Sequence, residues 1–272
     1  FVAWSGDTNG CTIVGNQITV AMTQSRLIAA GFAIDTYDIT AANGPNGAIA
    51  PLGTVWVNSG ASTNFVITPN TNCSVTNVIV DGIPMGPTNS WTFSNVTNGG
   101  HTITALFGID QYTLTVNSLY GAPTPSGVTT NPWNTLINAA VAGSPVANGT
   151  TQYLCTGWTG TGSVLPSGVT TNTSFNLTAP STLTWNWQTR YRLTPTAGPN
   201  GSVDLISGWH DAGSNITITA TANGGYHFAG WTGDVPGALT NNNPLTLTMS
   251  QARSITANFA PDLGSVTVTI TP

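Results

Sequence analysis

The chain has no lysine and no glutamate. Its four basic residues are all arginine and its nine acidic residues all aspartate. Charged residues make up 5% of the 272, against about 25% in an ordinary soluble domain. Without lysine there is no Schiff-base nucleophile, and without glutamate the commonest glycosidase acid is gone, so Asp pairs remain as the carboxylate route to glycoside hydrolysis. A net charge of −5 and a pI near 4.6 argue against the clustered Lys/Arg surface that holds nucleic acid. No apolar run approaches the ~20 residues of a membrane helix, and no stretch keeps a helical period. The sequence opens on Phe1 without a signal-peptide pattern, so a secretion signal is expected outside it.

Thr, Asn, Ser and Gly stand where charges would normally be. Thr is β-branched and suits a pleated surface, while Gly, Pro and Asn mark frequent turns. With 40% hydrophobic residues there is material for a packed core, and the composition is that of an all-β protein. A surface with so little charge is weakly protected against association, which favours a protein held in an assembly or at a cell surface.

The chain repeats itself. "LIAAGFAID" (27–35), "TITALFGID" (102–110), "TLTWNWQTR" (182–190) and "SITANFAPD" (254–262) share one alternation, with Ile28/Ala30/Phe32 matching Ile103/Ala105/Phe107, Leu183/Trp185/Trp187 and Ile255/Ala257/Phe259. Period two means a strand with one buried face. Each ending precedes a similar beginning: "YDITA" (37–41), "YTLTV" (112–116), "YRLTP" (191–195) and "VTVTI" (266–270). The ~75-residue period is that of a small domain rather than a solenoid coil. The expected organisation is therefore modules at 36–110, 111–190 and 191–261, the second half of a module at 1–35, and the first strand of another at 262–272. Within a module the "GPNG" at 44–47 and 198–201 predicts a hairpin-type turn, in which Pro fixes φ and Asn-Gly supplies positive φ. "MTQSRLI" (22–28) and "MSQARSI" (249–255) read as tight connections between strands.

The Tyr-x-apolar-Thr strand, the Gly-rich turn, "GYHFAGWTGD" (225–234) and "LTLTMSQARSITANF" (245–259) together resemble the divergent internalin B-repeat family of bacterial surface proteins, related to the Listeria–Bacteroides repeat. Residues 67–107 resemble a second form found in the same large extracellular proteins, and 153–193 a third. The resemblance implies small β-sandwich or β-grasp-like modules in tandem, with little or no helix. It implies a spacer, stalk or adhesive surface and no enzymatic activity.

Candidate sites are few. Trp4, Trp158 and Trp231 share one motif position and read as core anchors. Trp56, Trp133 and Trp209 precede loops and are the candidates for an exposed glycan platform. Asp7 and Asp234 end a Trp-Ser/Thr-Gly-Asp turn and read as turn caps. Asp35, Asp110 and Asp262 each follow a terminal strand and are weak calcium candidates, since calcium needs several converging oxygens. His101, His210 and His227 are scattered, and no Cys–His or Ser–His–Asp set has motif support. No cofactor is expected. Cys11, Cys73 and Cys155 fall in three different repeats, so no disulfide within the chain is expected; Cys73 takes the place of Tyr226 and Cys155 that of Phe228.

The expected function is that of a non-catalytic, extracellular structural repeat in a fibre, stalk or surface layer. Phe1 and Trp4 match Phe228 and Trp231 in the middle of a module, and Val266, Val268 and Ile270 carry a first-strand pattern. These five residues are expected at assembly junctions, where the partner is a further repeat or a second copy joined head to tail by strand complementation. The rival is a glycan-binding adhesion module that uses the exposed tryptophans.

Overall fold

The computed structural model describes residues 1–264 and residue 268. It is all-β apart from a single 3₁₀ turn, Gly237–Leu239. The chain divides into two compact units, Phe1–Asp110 and Gln111–Pro272.

In the first unit, residues 36–109 form a two-sheet sandwich whose strands alternate between the sheets, except that Ile83–Pro84 follows Cys73–Val80 in the same one. One sheet holds Gly53–Asn58, Thr36–Asn43, His101–Ile109, Cys73–Val80 and Ile83–Pro84, in that order. The other holds Gly47–Ala50, Thr63–Pro69 and Ser90–Phe93. Thr36–Asn43 runs parallel to His101–Ile109, joining the first strand of the module to the last. Period-two patterning gives each strand one apolar face, and Ile39, Ile103, Phe65 and Ile67 meet between the sheets with exposures of 0 to 2%. Each such side chain contributes about 1.5–3 kcal/mol by leaving water.

The second unit repeats this plan twice. Gln111–Asn117 pairs antiparallel with Gly127–Pro132 and parallel with Ser181–Ala197, which pairs antiparallel with Thr151–Thr161. The opposite sheet is Ala122–Thr124, Thr135–Ala142 and Asn172–Leu177. In the third copy, Ser181–Ala197 pairs antiparallel with Gly208–Asp211 and parallel with Arg253–Pro261, which pairs antiparallel with Tyr226–Gly233. The opposite sheet is there split into Gly201–Val203 with Ala220–Ala222 and Asn215–Ile218 with Leu245–Thr248.

Ser181–Ala197 is therefore one strand of 17 residues that closes one core and opens the next. Leu183 and Trp185 are buried in the second core, and Leu193 in the third. The boundary expected at 190/191 falls inside this strand. A nine-stranded sheet runs through both copies, while each keeps its own set of buried side chains.

The strand paired antiparallel with each last strand carries a one-residue bulge at the same place. The register skips Thr76, Thr156 and Ala229, between Leu106/Phe107, Cys155/Gly157 and Phe228/Gly230. Such a bulge bends the strand and increases its twist.

The "GPNG" turns form, but the positive φ belongs to the asparagines, at 72° for Asn46 and 71° for Asn200. Gly47 and Gly201 serve another purpose. A Cβ at Gly47 would overlap the Phe107 ring, and one at Gly201 the Phe259 ring. In the second copy Gly121 lies under Trp187, where a Cβ would stand 3.0 Å from the indole. The bare glycine lets the last-strand aromatic close the end of the core.

Residues 1–35 contain only Ala3–Gly6 paired with Ile28–Gly31, and a hairpin of Thr12–Val14 with Gln17–Thr19. The segments 22–28 and 249–255 are non-helical connections leading into Ile28–Gly31 and Arg253–Pro261.

Candidate functional site

The most regular polar feature is a clamp between the end of one strand and the start of the last. Asp234 accepts the Ser254 N–H through Oδ2 at 2.9 Å, and its own N–H donates to the Ser254 carbonyl at 2.9 Å. Arg253 donates through Nη1 to the Asp234 carbonyl at 2.7 Å. Asp7 repeats this with Leu27 (2.9 and 2.8 Å) and Arg26 (3.0 Å). The sequence marked both aspartates as caps of their own turn; the structure gives each to a backbone amide at the start of the neighbouring strand. The preceding glycines, Gly6 and Gly233, have φ of 90° and 92°, and a Cβ on either would overlap the carbonyl of Leu27 or Ser254.

A third clamp escaped the sequence reading. Asp81 accepts the Thr102 N–H at 2.8 Å and donates its own N–H to the Thr102 carbonyl at 3.0 Å. His101 replaces the arginine, with Nδ1 2.8 Å from Asp81 Oδ2. Partial burial pushes the Asp81 carboxyl up, but the Thr102 N–H and the His101 ring outweigh it and hold it below its ordinary value of 3.8. The legible signal was a basic residue two positions before the first apolar residue of each last strand: Arg26–Ile28, His101–Ile103, Arg253–Ile255. The second copy has no such residue. There the buried Ser181 accepts the Ser163 N–H at 2.8 Å and donates to the Ala179 carbonyl at 2.7 Å.

Trp158 and Trp231 are 4% and 2% exposed, and the Trp231 indole donates to the Asn242 carbonyl at 2.8 Å. Of the three tryptophans proposed as a platform, Trp56 is 66% exposed, opposite Asp38 in the ladder. Trp133 is half-buried in the turn after Gly127–Pro132. Trp209 is half-buried with the Arg192 guanidinium 5.9 Å from its ring centre, so its face is already partly covered by a cation. An aromatic group that the sequence did not single out lies in the second copy. Tyr120 stacks on Tyr153 at 3.6 Å and meets Trp187 edge-on, while Trp187 donates to Ser118 Oγ at 3.0 Å. The hydrogen bond between the two tyrosine side chains raises the Tyr120 hydroxyl above its ordinary value. Beside it lies an open groove of about 580 Å³ lined by Val116–Leu119 and Thr184–Trp187.

The calcium candidates stand apart. Asp35 is exposed; its carbonyl accepts from Ser59. Asp110 donates its N–H to the Asn72 carbonyl. Asp262 lies 3.0 Å from His227 Nδ1. Among the described residues no three His, Cys, Asp or Glu side chains cluster as a metal site would require. Cys155 is buried opposite Trp187 in the ladder, as Phe228 is opposite Phe259, and Cys73 stands opposite Ile109 as Tyr226 does opposite Pro261. All three cysteines are free thiols.

Of the junction residues, Phe1 is 46% exposed and packs its ring 5.4 Å from the half-buried Trp4. Val268 is exposed, and Val266 and Ile270 lie outside the described residues. No helix among the described residues is long and apolar enough to cross a membrane.

No curated protein matches the chain. The model of the divergent InlB B-repeat domain matches residues 191–263. The match coincides with the third copy of the sandwich, including its clamp at Asp234 and Arg253, so this stretch is similar to the divergent InlB B-repeat domain.

Proposed function

We propose that this chain is a non-catalytic structural segment of an extracellular surface protein, a series of stiff β-modules that spaces or builds a fibre, stalk or surface layer. The observation that carries the reading is Ser181–Ala197, one strand common to two cores. A module joined to its neighbour by a shared strand has no linker to bend, and force entering one core passes along hydrogen-bonded backbone into the next. The low charge leaves little repulsion between neighbouring modules. The chain also joins to its own kind by head-to-tail strand complementation, a heterologous contact that extends rather than closes.

Electron microscopy of the purified chain over a range of concentrations tests this. Extended multimers are expected, and a chain lacking residues 264–272 should stay monomeric. Single chains at every concentration would remove the self-joining part of the proposal.

One observation favours the second reading, glycan adhesion: the 66% exposure of Trp56. Binding on a glycan array that disappears in Trp56→Ala would move the function towards adhesion.

A further inference from the structure

Three modules of one plan show what the same place holds when its residues change. The second position of the Tyr-x-apolar-Thr strand is Asp38 in the first copy, Thr113 in the second and Arg192 in the third. The ladder fixes the equivalence, since Ile39 pairs with His101, Leu114 with Ser181 and Leu193 with Arg253. In the first copy Asp38 Oδ1 accepts the Gly100 N–H at 3.0 Å. In the second, the residue before Ser181 is Pro180, which has no N–H to satisfy. In the third the donor returns as Ala252, but a guanidinium has replaced the carboxylate, and no described residue accepts the Ala252 N–H.

Arg192, Ala252 and Arg253 line a pocket of about 190 Å³, together with Thr150, Thr194 and Ser254. Asp234 also reaches it, with Oδ2 held by the Ser254 N–H. One carboxylate against two guanidiniums leaves the pocket a net positive charge. Of the four arginines, Arg190 pairs with Asp211 at 2.9 Å, whereas neither Arg192 nor Arg253 forms an ion pair among the described residues. Neutral groups hold both: the Asp234 carbonyl and Ser250 Oγ for Arg253, the Trp209 ring for Arg192. Two like charges gathered in one pocket repel each other, and a guanidinium fork matches the geometry of a carboxylate. Trp209 stands opposite Arg192 in the ladder as Trp56 stands opposite Asp38.

We propose that this pocket binds an acidic saccharide through the carboxylate of a uronic acid. The ligand's carboxylate takes, between Arg192 and Arg253, the part that Asp38 plays in the first copy. The hydroxyls of Thr150, Thr194 and Ser254 can each donate and accept, which suits the hydroxyls of a sugar ring better than an aliphatic acid. The half-buried Trp209 borders the site on the Arg192 side. The site rests on the adhesion reading above, but puts recognition in the third copy instead of at Trp56.

Amide NMR of the full chain, titrated at low salt with galacturonate and its short oligomers, tests it. Saturable shifts are expected at Thr194, Ala252 and Ser254, and none at their first-copy equivalents Thr40, Gly100 and Thr102. Added salt should weaken the binding. Arg192 is exposed, so Arg192→Gln leaves the fold in place; it should weaken binding by about tenfold or more, the loss of one charge-assisted contact. Arg192→Asp, which restores the first-copy residue, should abolish it. Retention of galacturonate binding in Trp56→Ala would uphold the site. Equal shifts with galactose would overturn it, because the charge would then go unread. Equal affinity for acetate or inorganic phosphate would overturn the saccharide assignment, and tighter binding of an aspartate-rich peptide would overturn it in favour of a polypeptide partner. Undiminished binding in Arg192→Gln would remove the pocket from recognition. Glycan-array binding that disappears in Trp56→Ala, with no galacturonate shifts at Thr194, Ala252 and Ser254, would overturn this site and leave the adhesion reading standing.

Discussion

Substituting Gly201 by alanine separates two accounts of the "GPNG" turn by the sign of its effect. If the glycine served backbone freedom alone, the change would cost little. Gly201 is outside the positive-φ region, and at a compatible site Gly→Ala stabilises by about 0.4–1 kcal/mol through the unfolded chain. The structure demands the opposite outcome, because the new methyl would overlap the Phe259 ring. That ring cannot swing freely: Phe228 stands edge-on to it at 6.3 Å and it packs against the third core. Overpacking of this kind costs about 1–3 kcal/mol. In a Phe259→Ala background the obstruction is gone, and Gly201→Ala should return to neutral or stabilising. The coupling energy of the pair should therefore be at least about 1 kcal/mol, above the scatter of independent sites. Native-state hydrogen exchange on the full chain measures it, reading Asn215–Ile218 and Leu245–Thr248 for the third core and Thr63–Pro69 as an internal control. A Gly201→Ala chain as stable as its parent, or equal effects in both backgrounds, would refute the ring-seat argument.

The remaining predictions are shorter. The Asp81 carboxyl is held below 3.8 in the folded chain, so its clamp stabilises the first unit above the ordinary carboxylate range and is lost as pH falls through the lowered folded value. Asp81→Asn should flatten that acid-side loss in the exchange of Thr63–Pro69, and an unchanged acid profile would count against the clamp. Tyr191→Pro, in the middle of the shared strand, removes a ladder donor where Thr151 and His210 both pair. It should weaken the second and third cores together, because proline does not fit a strand paired on both sides, and exchange confined to one core would contradict mechanical coupling. Cys155 is buried and Cys11 and Cys73 only partly so, so two thiols should react with a disulfide reagent in the native chain well before the third; three equal rates would place Cys155 at the surface.

The strands were legible in the sequence because alternation is a local property. Ile103/Ala105/Phe107 and Ile255/Ala257/Phe259 could be read directly, and all but the terminal aromatic are fully buried. The parallel joining of first strand to last was hidden, since pairing Ile39 with His101 is a contact across 62 positions with no local mark. The glycine seats were hidden by a plausible local explanation: Asn-Gly fits a turn, and the turn is real, but the asparagine takes the unusual φ. Asp81 was missed because Val80-Asp81-Gly82 does not look like Trp-x-Gly-Asp. The equivalence lies in the register of Val78 with Ala105 and Trp231 with Ala257. The tryptophans divided for a similar reason: proximity to a loop does not decide which face of a strand a residue occupies, so Trp56 is open and Trp209 lies against Arg192.

The shared strand also imposes an arithmetic on how such a chain can change length. Leu183, Trp185 and Leu193 all stand at odd positions of Ser181–Ala197 and all are buried. Side chains of a strand alternate with period two. Inserting or deleting one residue between Trp187 and Leu193 would keep every hydrophobic residue yet turn one of the two cores inside out. Adding or removing two would preserve both faces and only shift the ladder. Spacing between adjacent cores is thus quantised in pairs of residues, and length variation at this joint should survive in even steps while odd ones are lost at folding.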